Sequence, residues 1–172
     1  VMQWAQHDAG HRSFVLLGEA LGATVACIGY KPGLVSGLIL LWPALILNQT
    51  AFKGLFTREK MLEGEQSKDG FVMFGGHRLG KHFINEIYQY DMTSTLEKIH
   101  APTLIQHGTA DEEIPLAQAY FGRDHIPGIA DLAIFEGGDH GLTAMNIRQH
   151  VLMNIEYFLG RLAKKLDSTP KN

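Results

Sequence analysis

Residues 14–30 read FVLLGEALGATVACIGY, and this stretch decides the fold. Phe14–Leu17 are four consecutive apolar residues, which is typical of a strand in a parallel sheet that is covered on both faces. Gly18–Gly22 then allow a turn too tight for bulky side chains, and residues 20–30 repeat apolar positions at the spacing of a helix. The stretch therefore predicts a strand, a sharp turn and a helix.

The predicted helix combines two kinds of side chain. Its large apolar residues recur at helical spacing: Leu21, Val25 and Ile28. Its small residues, among them Ala23 and Ala26, permit close approach to the sheet. Cys27 is the single cysteine of the chain and cannot form an internal disulfide. In this apolar setting we interpret it as a small buried hydrophobic residue.

Strands and helices continue to alternate along the chain, and a strand–helix–strand unit of this kind is right-handed with parallel strands. Further strands are predicted at 37–41, 103–106 and 131–135, and helices at 1–9, 93–98, 115–121 and 143–166. We expect Thr93 or Ser94 to cap the helix at 93–98, and Pro115 to lie in the first turn of the helix at 115–121. We expect an α/β fold with a mainly parallel sheet and flanking helices, in one domain spanning residues 1–172.

Residues 45–92 differ in character from the rest of the chain. Aromatic residues are scattered through them beside a polar run at Glu63–Gly70. Phe71–Leu79, around two adjacent glycines, predict a hairpin, and residues 80–90 a short helix. We interpret the region as a lid, a small insertion that covers a site and is not part of the sheet.

Composition excludes several classes of function. Hydrophobic residues make up 45% and the net charge is −3 at pH 7, so there is no electrostatic argument for binding nucleic acid or an anionic membrane. Leu38–Leu47 is the longest apolar run and is too short to span a bilayer. No signal peptide is visible, which leads us to expect a cytoplasmic protein. The chain also begins without an initiator methionine, so we expect a fragment, a processed product or a renumbered piece of a longer protein.

Two motif-like spacings have weak support. His7 and His11 are four residues apart, a spacing that can bind metal on a helix, but Gly10 lies between them and a third ligand is lacking nearby, so we expect no metal. The glycines of Gly18–Gly22 lack the spacing of a nucleotide-binding loop and the following Lys-Ser/Thr.

Three positions that bear on chemistry follow predicted strands: Ala20, Asp111 and His140. In an open parallel sheet, ligands bind at the carboxyl ends of the strands. Gly-x-Ser-x-Gly between a strand and a helix is the nucleophile elbow of α/β-hydrolases, and the chain order of that fold is nucleophile, acid, histidine. The order fits here, but residue 20 is alanine and has no hydroxyl.

Three stretches together resemble the carboxyl-terminal part of an α/β-hydrolase: Leu17–Gly22, Pro102–Asp111 and Phe135–Gly141. Gly76–Gly80, within the predicted insertion, is similar to the small lid of bacterial esterases of the cinnamoyl/feruloyl type. The resemblance implies hydrolysis of a small-molecule carboxylic ester, by acyl transfer to serine and then to water, without a cofactor.

The resemblance also implies roles for individual residues. Position 20 would hold the nucleophile, His140 would be the general base, and Asp111 would orient the imidazole. The backbone N–H of Leu21 would supply one oxyanion donor, and no residue can be assigned as the second. The candidate substrate contacts are Glu19, Trp42, Phe74 and His77.

Ala20 leaves several interpretations open, because alanine cannot form an acyl-enzyme. It either replaces a serine, leaving the chain inactive as written, or belongs to a protein that never had a nucleophile there. The second case gives a non-catalytic binding protein. A peptidase or thioesterase of the same fold is a further alternative.

Two expectations concern neighbours of the site and the edge of the sheet. We interpret His107 as a packed or locally hydrogen-bonded residue, and Glu112 and Glu113 as solvated. A sheet that lacks its first half exposes an unpaired edge. We therefore expect a homodimer, or pairing with a missing amino-terminal segment.

Overall fold

A computed structural model describes residues 2–8, 10, 12–46, 62, 66–68, 70–74, 77–87 and 89–167 of the chain. Its helices include α1 (Met2–His7), α2 (Leu21–Ile28), α3 (Lys81–Ile87), α4 (Met92–Leu96), α5 (Ala117–His125) and α6 (Met145–Asp167). Its strands include β1 (Phe14–Glu19), β2 (Val35–Leu41), β3 (Phe71–Phe74), β4 (His77–Gly80), β5 (Thr103–Gly108) and β6 (Ala130–Phe135).

The main sheet has the order β1-β2-β5-β6, and each neighbouring pair is parallel. Strands β3 and β4 form a separate antiparallel hairpin in which Phe71 pairs with Gly80. The parallel sheet predicted from the sequence is therefore confirmed, and so is the hairpin. Residues 47–61 of the predicted insertion lie outside the described residues, so its role as a lid stays a prediction.

Helices cover the sheet on both sides. Alternate side chains of β2 therefore pack into two separate cores, one on each face. Leu38 and Leu40 pack in one core with residues of α2, α4 and α5. Ile39 and Leu41 pack in the other, against α6. All four side chains are buried. The sheet is thus the middle layer of an α/β domain.

Helix α6 packs on the sheet through an apolar stripe along one face. Its buried residues are Ile147, Val151, Phe158 and Leu162, with Ile155 half-buried. The helix lies so close to the sheet that a side-chain carbon at Gly37 would meet Leu162 Cδ1 at 2.6 Å. In the described part of the chain, neither α6 nor any other helix is long and apolar enough to cross a membrane.

Helix α2 buries its small side chains, and not the apolar repeat by which it was recognised. Ala23, Ala26 and Cys27 are buried in the core beside the sheet, whereas Val25 is 64% exposed and Ile28 is also exposed. Cys27 is only 2% exposed, so its interpretation as a buried hydrophobic residue is confirmed. Burial raises the pKa of its thiol to about 12. Helical spacing identifies a helix, but close approach to the sheet selects the face with the smallest side chains.

Strand β1 lies at an edge of the sheet, and one of its faces is open. Within the described residues it pairs with β2 alone, and Leu17 is 54% exposed. The prediction that Phe14–Leu17 is covered on both faces is therefore wrong at Leu17. The physical reason is that α6, the helix on that side of the sheet, packs on β2 and β5.

We propose that this edge is covered by association, through a second copy or an added amino-terminal segment. An exposed edge strand with apolar side chains is a template for pairing with another chain. We expect size-exclusion chromatography with light scattering to show dimers or larger species at micromolar concentration. The variant Leu17→Lys should shift the chain toward the monomer, since a charge at the edge opposes pairing. A monomer with one cooperative thermal transition would contradict this proposal.

Helix α4 is capped by Asp91, and the prediction of Thr93 or Ser94 as its cap is wrong. The Asp91 carboxylate accepts hydrogen bonds from the Ser94 backbone N–H at 3.1 Å and from its hydroxyl at 2.6 Å. A carboxylate just before the first turn satisfies N–H groups that have no acceptor in the helix. The prediction that Pro115 lies in the first turn of the next helix is also wrong, because α5 begins two residues later, at Ala117.

Candidate active site

The carboxyl ends of the parallel strands lie side by side along one edge of the sheet. Glu19, the last residue of β1, pairs with Leu41 of β2, and Gly108 of β5 pairs with Phe135 of β6. The loops that leave these strand ends contain Ala20, Asp111 and His140. This is the edge at which ligands bind in open parallel sheets.

Ala20 has a strained backbone in the turn between β1 and α2. Its φ is 49° and its ψ is −120°, a conformation that costs a non-glycine residue about 1–3 kcal/mol. Its N–H donates to the Leu41 carbonyl at 3.0 Å, and its carbonyl accepts from the Ala44 N–H at 3.1 Å. Trp42 and Leu142 also have positive φ among the described residues. Both lie in loops at the same edge, where surrounding structure must hold the strain.

Asp111 is an ionised carboxylate with an inaccessible side chain. Its Oδ1 accepts the backbone N–H groups of Glu113 and Ile114 at 2.9 and 2.8 Å, and its Oδ2 lies 3.0 Å from His140 Nδ1. Burial alone would raise the pKa of Asp111, but hydrogen bonds from His107, His140 and the two backbone donors hold it well below its usual range. The carboxylate therefore carries its charge at neutral pH.

His140 is the hydrogen-bond partner of Asp111 and is partly open to solvent. Its side chain is 26% exposed. The hydrogen bond to Asp111 raises the pKa of His140 against the opposing effect of burial, and the charges of Asp111, Glu113 and Asp139 raise it further. With Nδ1 engaged by the carboxylate, Nε2 is the atom that can exchange a proton with another group.

His107 contacts Asp111 from the interior of the protein. The ring is fully buried, and its Nε2 lies 2.9 Å from the Ile114 carbonyl oxygen and 3.4 Å from Asp111 Oδ2. A carbonyl oxygen only accepts, so Nε2 carries the proton. Its Nδ1 has no hydrogen-bond partner in the described part of the chain. The interpretation of His107 as a locally hydrogen-bonded residue is confirmed.

The sequence predicts a solvated Glu113, but in the structure its carboxylate also approaches His140. Its Oε2 lies 3.9 Å from His140 Nε2, although the side chain is 44% exposed. Asp111 accepts the N–H groups two and three residues ahead of it, which folds the loop back toward the histidine. An Asp side chain often accepts a backbone N–H two residues ahead of it, so Asp111 in the sequence is the signal that could have predicted this turn.

Trp42 contacts the histidine, whereas Glu19 lines a cavity that reaches Gly141, the next residue in the sequence, and the role of both in binding a substrate stays a prediction. The Trp42 ring meets the His140 ring edge-on, with 6.4 Å between centroids. Glu19, Trp42 and Gly141 line a cavity of about 480 Å³ whose other walls come mainly from apolar residues of β1, β2 and α6.

The two remaining candidate contacts fall in the hairpin. Phe74 and His77 are backbone partners across β3 and β4. Their side chains lie outside the described part of the structure, so their contact with a substrate stays a prediction.

Leu21 is the first residue of α2. The first N–H groups of a helix have no acceptor within it, and such a donor can stabilise negative charge that develops on a substrate oxygen. This N–H donor and the Asp111–His140 pair both follow carboxyl ends of strands in the parallel sheet. In the ranges that the structure describes, no three His, Cys, Asp or Glu side chains come close enough together to hold a metal ion.

The fold is that of solved α/β-hydrolases. Est1E from Butyrivibrio proteoclasticus superposes with a TM-score of 0.63 at 16% identity, over 86% of this chain and 60% of Est1E. A monoacylglycerol lipase from Paleococcus ferrophilus gives 0.70 at 14% identity, over 89% of this chain and 70% of the lipase. The esterase EaEST from Exiguobacterium antarcticum gives 0.64 at 18% identity, over 91% and 70% of the two chains.

At these identities the likeness shows the α/β-hydrolase fold, and the resemblance drawn from three stretches of sequence is confirmed at that level. The chain spans about 60% of the length of Est1E. No protein-family model matches the chain, and no curated protein matches its sequence.

Proposed function

We propose that this chain, which has the α/β-hydrolase fold, carries the proton-transfer and oxyanion groups of a carboxylic ester hydrolase. The acyl-enzyme mechanism of such a site requires serine at position 20, where this chain has alanine. As written, the chain binds an ester or its acid and turns it over very slowly.

The observation that supports this proposal most is the Asp111–His140 pair, with 3.0 Å between Oδ2 and Nδ1. The pair lies at the same sheet edge as a strained turn at position 20. An Asp that orients and stabilises a histidine is two thirds of the triad used in acyl transfer. A strained turn is retained only where neighbouring structure over-determines it.

A serine at position 20 would complete a balanced reaction. Its Oγ would bond to the ester carbonyl carbon while His140 Nε2 takes the hydroxyl proton, and the Leu21 N–H would donate to the oxyanion. The alkoxide would then leave as the alcohol, with the proton from His140. A water molecule would next attack the acyl carbon as His140 takes its proton, and the serine Oγ would leave with that proton as the acid is released.

For the substrate, we propose a small-molecule ester with an aromatic acyl group, such as a hydroxycinnamate. The cavity beside Gly141 is mainly apolar and is bounded by Trp42. One of the solved structures similar to this chain is Est1E with ferulic acid bound. No step of the proposed reaction requires a cofactor.

A fluorophosphonate tests the proposal directly. In the variant Ala20→Ser, the serine Oγ should bond to phosphorus and expel fluoride, and intact-mass spectrometry should show one phosphonyl group per chain. The chain with Ala20 should gain no label at that position. The double variant Ala20→Ser/His140→Asn is the matched control and should label far more slowly. An unlabelled single variant would contradict the proposal.

A non-catalytic α/β-hydrolase-like binding protein is the second candidate, and Ala20 itself favours it. Under this alternative, the chain binds a hydroxycinnamate while the Ala20→Ser variant stays inactive. A peptidase or thioesterase shares the same triad chemistry. Ester, thioester and aminopeptidase substrates tested on the Ala20→Ser variant separate these activities from ester hydrolysis.

A further inference from the structure

Glu113 faces the side of His140 opposite to Asp111. Its Oε2 is 3.9 Å from Nε2, whereas Asp111 holds Nδ1 at 3.0 Å. The backbone N–H of Glu113 also donates to Asp111 Oδ1 at 2.9 Å. The same residue therefore supports the carboxylate through its main chain and approaches the imidazole through its side chain.

We propose that Glu113 is a positioning residue that stabilises, from the Nε2 side, the His140 imidazolium that forms when the ring takes up a proton. At 3.9 Å the contact is an ion pair and not a hydrogen bond, so it acts only when the ring carries a positive charge. The proposal deepens the proposed function, on which its catalytic consequence rests. A nucleophile or substrate must approach Nε2 beside this carboxylate.

The other charged groups around His140 do not duplicate this contact. Asp111 comes from the same loop as Glu113 and engages Nδ1. Asp139 precedes the histidine and accepts hydrogen bonds from the Thr143 N–H and hydroxyl. From the other packed elements, Glu19 of β1 and Arg148 of α6 line the cavity beside Gly141. Among these groups, Glu113 is the one whose carboxylate is paired with Nε2.

Removal of the Glu113 charge should lower the pKa of His140. A negative charge near an imidazolium favours its protonated form. For a pair that is partly exposed the effect is small, and we expect Glu113→Gln to lower the pKa by about half a unit, roughly a threefold change in the protonation equilibrium. High salt should reduce the difference between the two proteins, since the pair is open to screening.

Histidine side-chain NMR of the chain with Ala20, from pH 4 to 9, measures this pKa without any turnover. The signals of His140 are identified by their loss in His140→Asn. Glu112→Gln is the matched control, since it removes the same charge from the exposed neighbouring residue. It should leave the pKa of His140 within about 0.1 unit, whereas Asp111→Asn should lower it more than Glu113→Gln does.

The outcomes are distinct. An unchanged pKa in Glu113→Gln, or an equal effect of Glu112→Gln, would overturn the assignment of Glu113. In an active Ala20→Ser enzyme, Glu113→Gln should also move the acid limb of kcat/KM to lower pH by about half a unit. An inactive Ala20→Ser variant would count against the proposed function and leave the NMR result standing.

Discussion

The variant Ala20→Ser is expected to hydrolyse p-nitrophenyl butyrate faster than the chain with Ala20 by about six orders of magnitude. Loss of the triad serine in subtilisin has an effect of this size on kcat, and the change proposed here is the reverse. The substitution adds one hydroxyl to a residue that already has a Cβ at φ 49°. It therefore adds little backbone strain, and the turn should survive it.

Stopped-flow release of p-nitrophenolate is the measurement that best separates acyl transfer from other routes. A burst of about one equivalent per chain, followed by a slower steady rate, indicates that an acyl-enzyme accumulates. The control is Ala20→Ser/Asp111→Asn, which keeps the serine and should lose about four orders of magnitude, because the histidine loses the partner that fixes its tautomer. If the single variant is no faster than the chain with Ala20, position 20 is not a nucleophile site.

The variant Gly18→Ala is expected to destabilise the domain by about 3 kcal/mol, the upper end of the usual cost of overpacking. A Cβ at Gly18 would fall against the backbone carbonyl of Gly22, well inside van der Waals contact. Backbone cannot move aside as the tip of a side chain can. Because Gly18 pairs with Leu40 in the sheet, the turn at Ala20 would have to shift instead.

Gly22→Ala is the matched control for this prediction. Apart from its chain neighbours and the backbone of its own helix, no atom of the described residues lies within 4 Å of a Cβ built at Gly22. Alanine is also the better helix former, so this variant should be neutral or more stable by about 0.5–1 kcal/mol. Urea denaturation followed by circular dichroism compares the two variants. Equal midpoints for Gly18→Ala and the unchanged chain would show that the close approach does not constrain the turn.

Much of the architecture was predictable from local patterns. Short apolar runs followed by turns and helices indicated a parallel sheet, and the sheet order β1-β2-β5-β6 confirms it. Ala20, Asp111 and His140 each follow a strand predicted from the sequence, and in the structure each lies in the loop after that strand. Parallel strands align their carboxyl ends, so this part of the inference needs no knowledge of side-chain contacts.

Contacts that depend on several elements were not predictable from the chain order. Glu113 seemed equivalent to Glu112 in the sequence, yet only the folded loop brings it to 3.9 Å from His140 Nε2. The cap of α4 was misplaced because Asp91 competes for the same donors as its hydroxyl neighbours. In both cases nearby polar residues have similar propensities, and the geometry of the folded chain decides between them.

The sequence by itself determined which segments become strands, where the tight turn falls, and that residue 20 has no hydroxyl. Local sterics and hydrophobic periodicity suffice for these features. Only the tertiary structure decided which face of α2 is buried, that Leu17 stays exposed on an edge strand, and that Asp111 holds His140. Those features depend on how closely distant segments approach one another, and the spacing of residues along one segment does not contain that information.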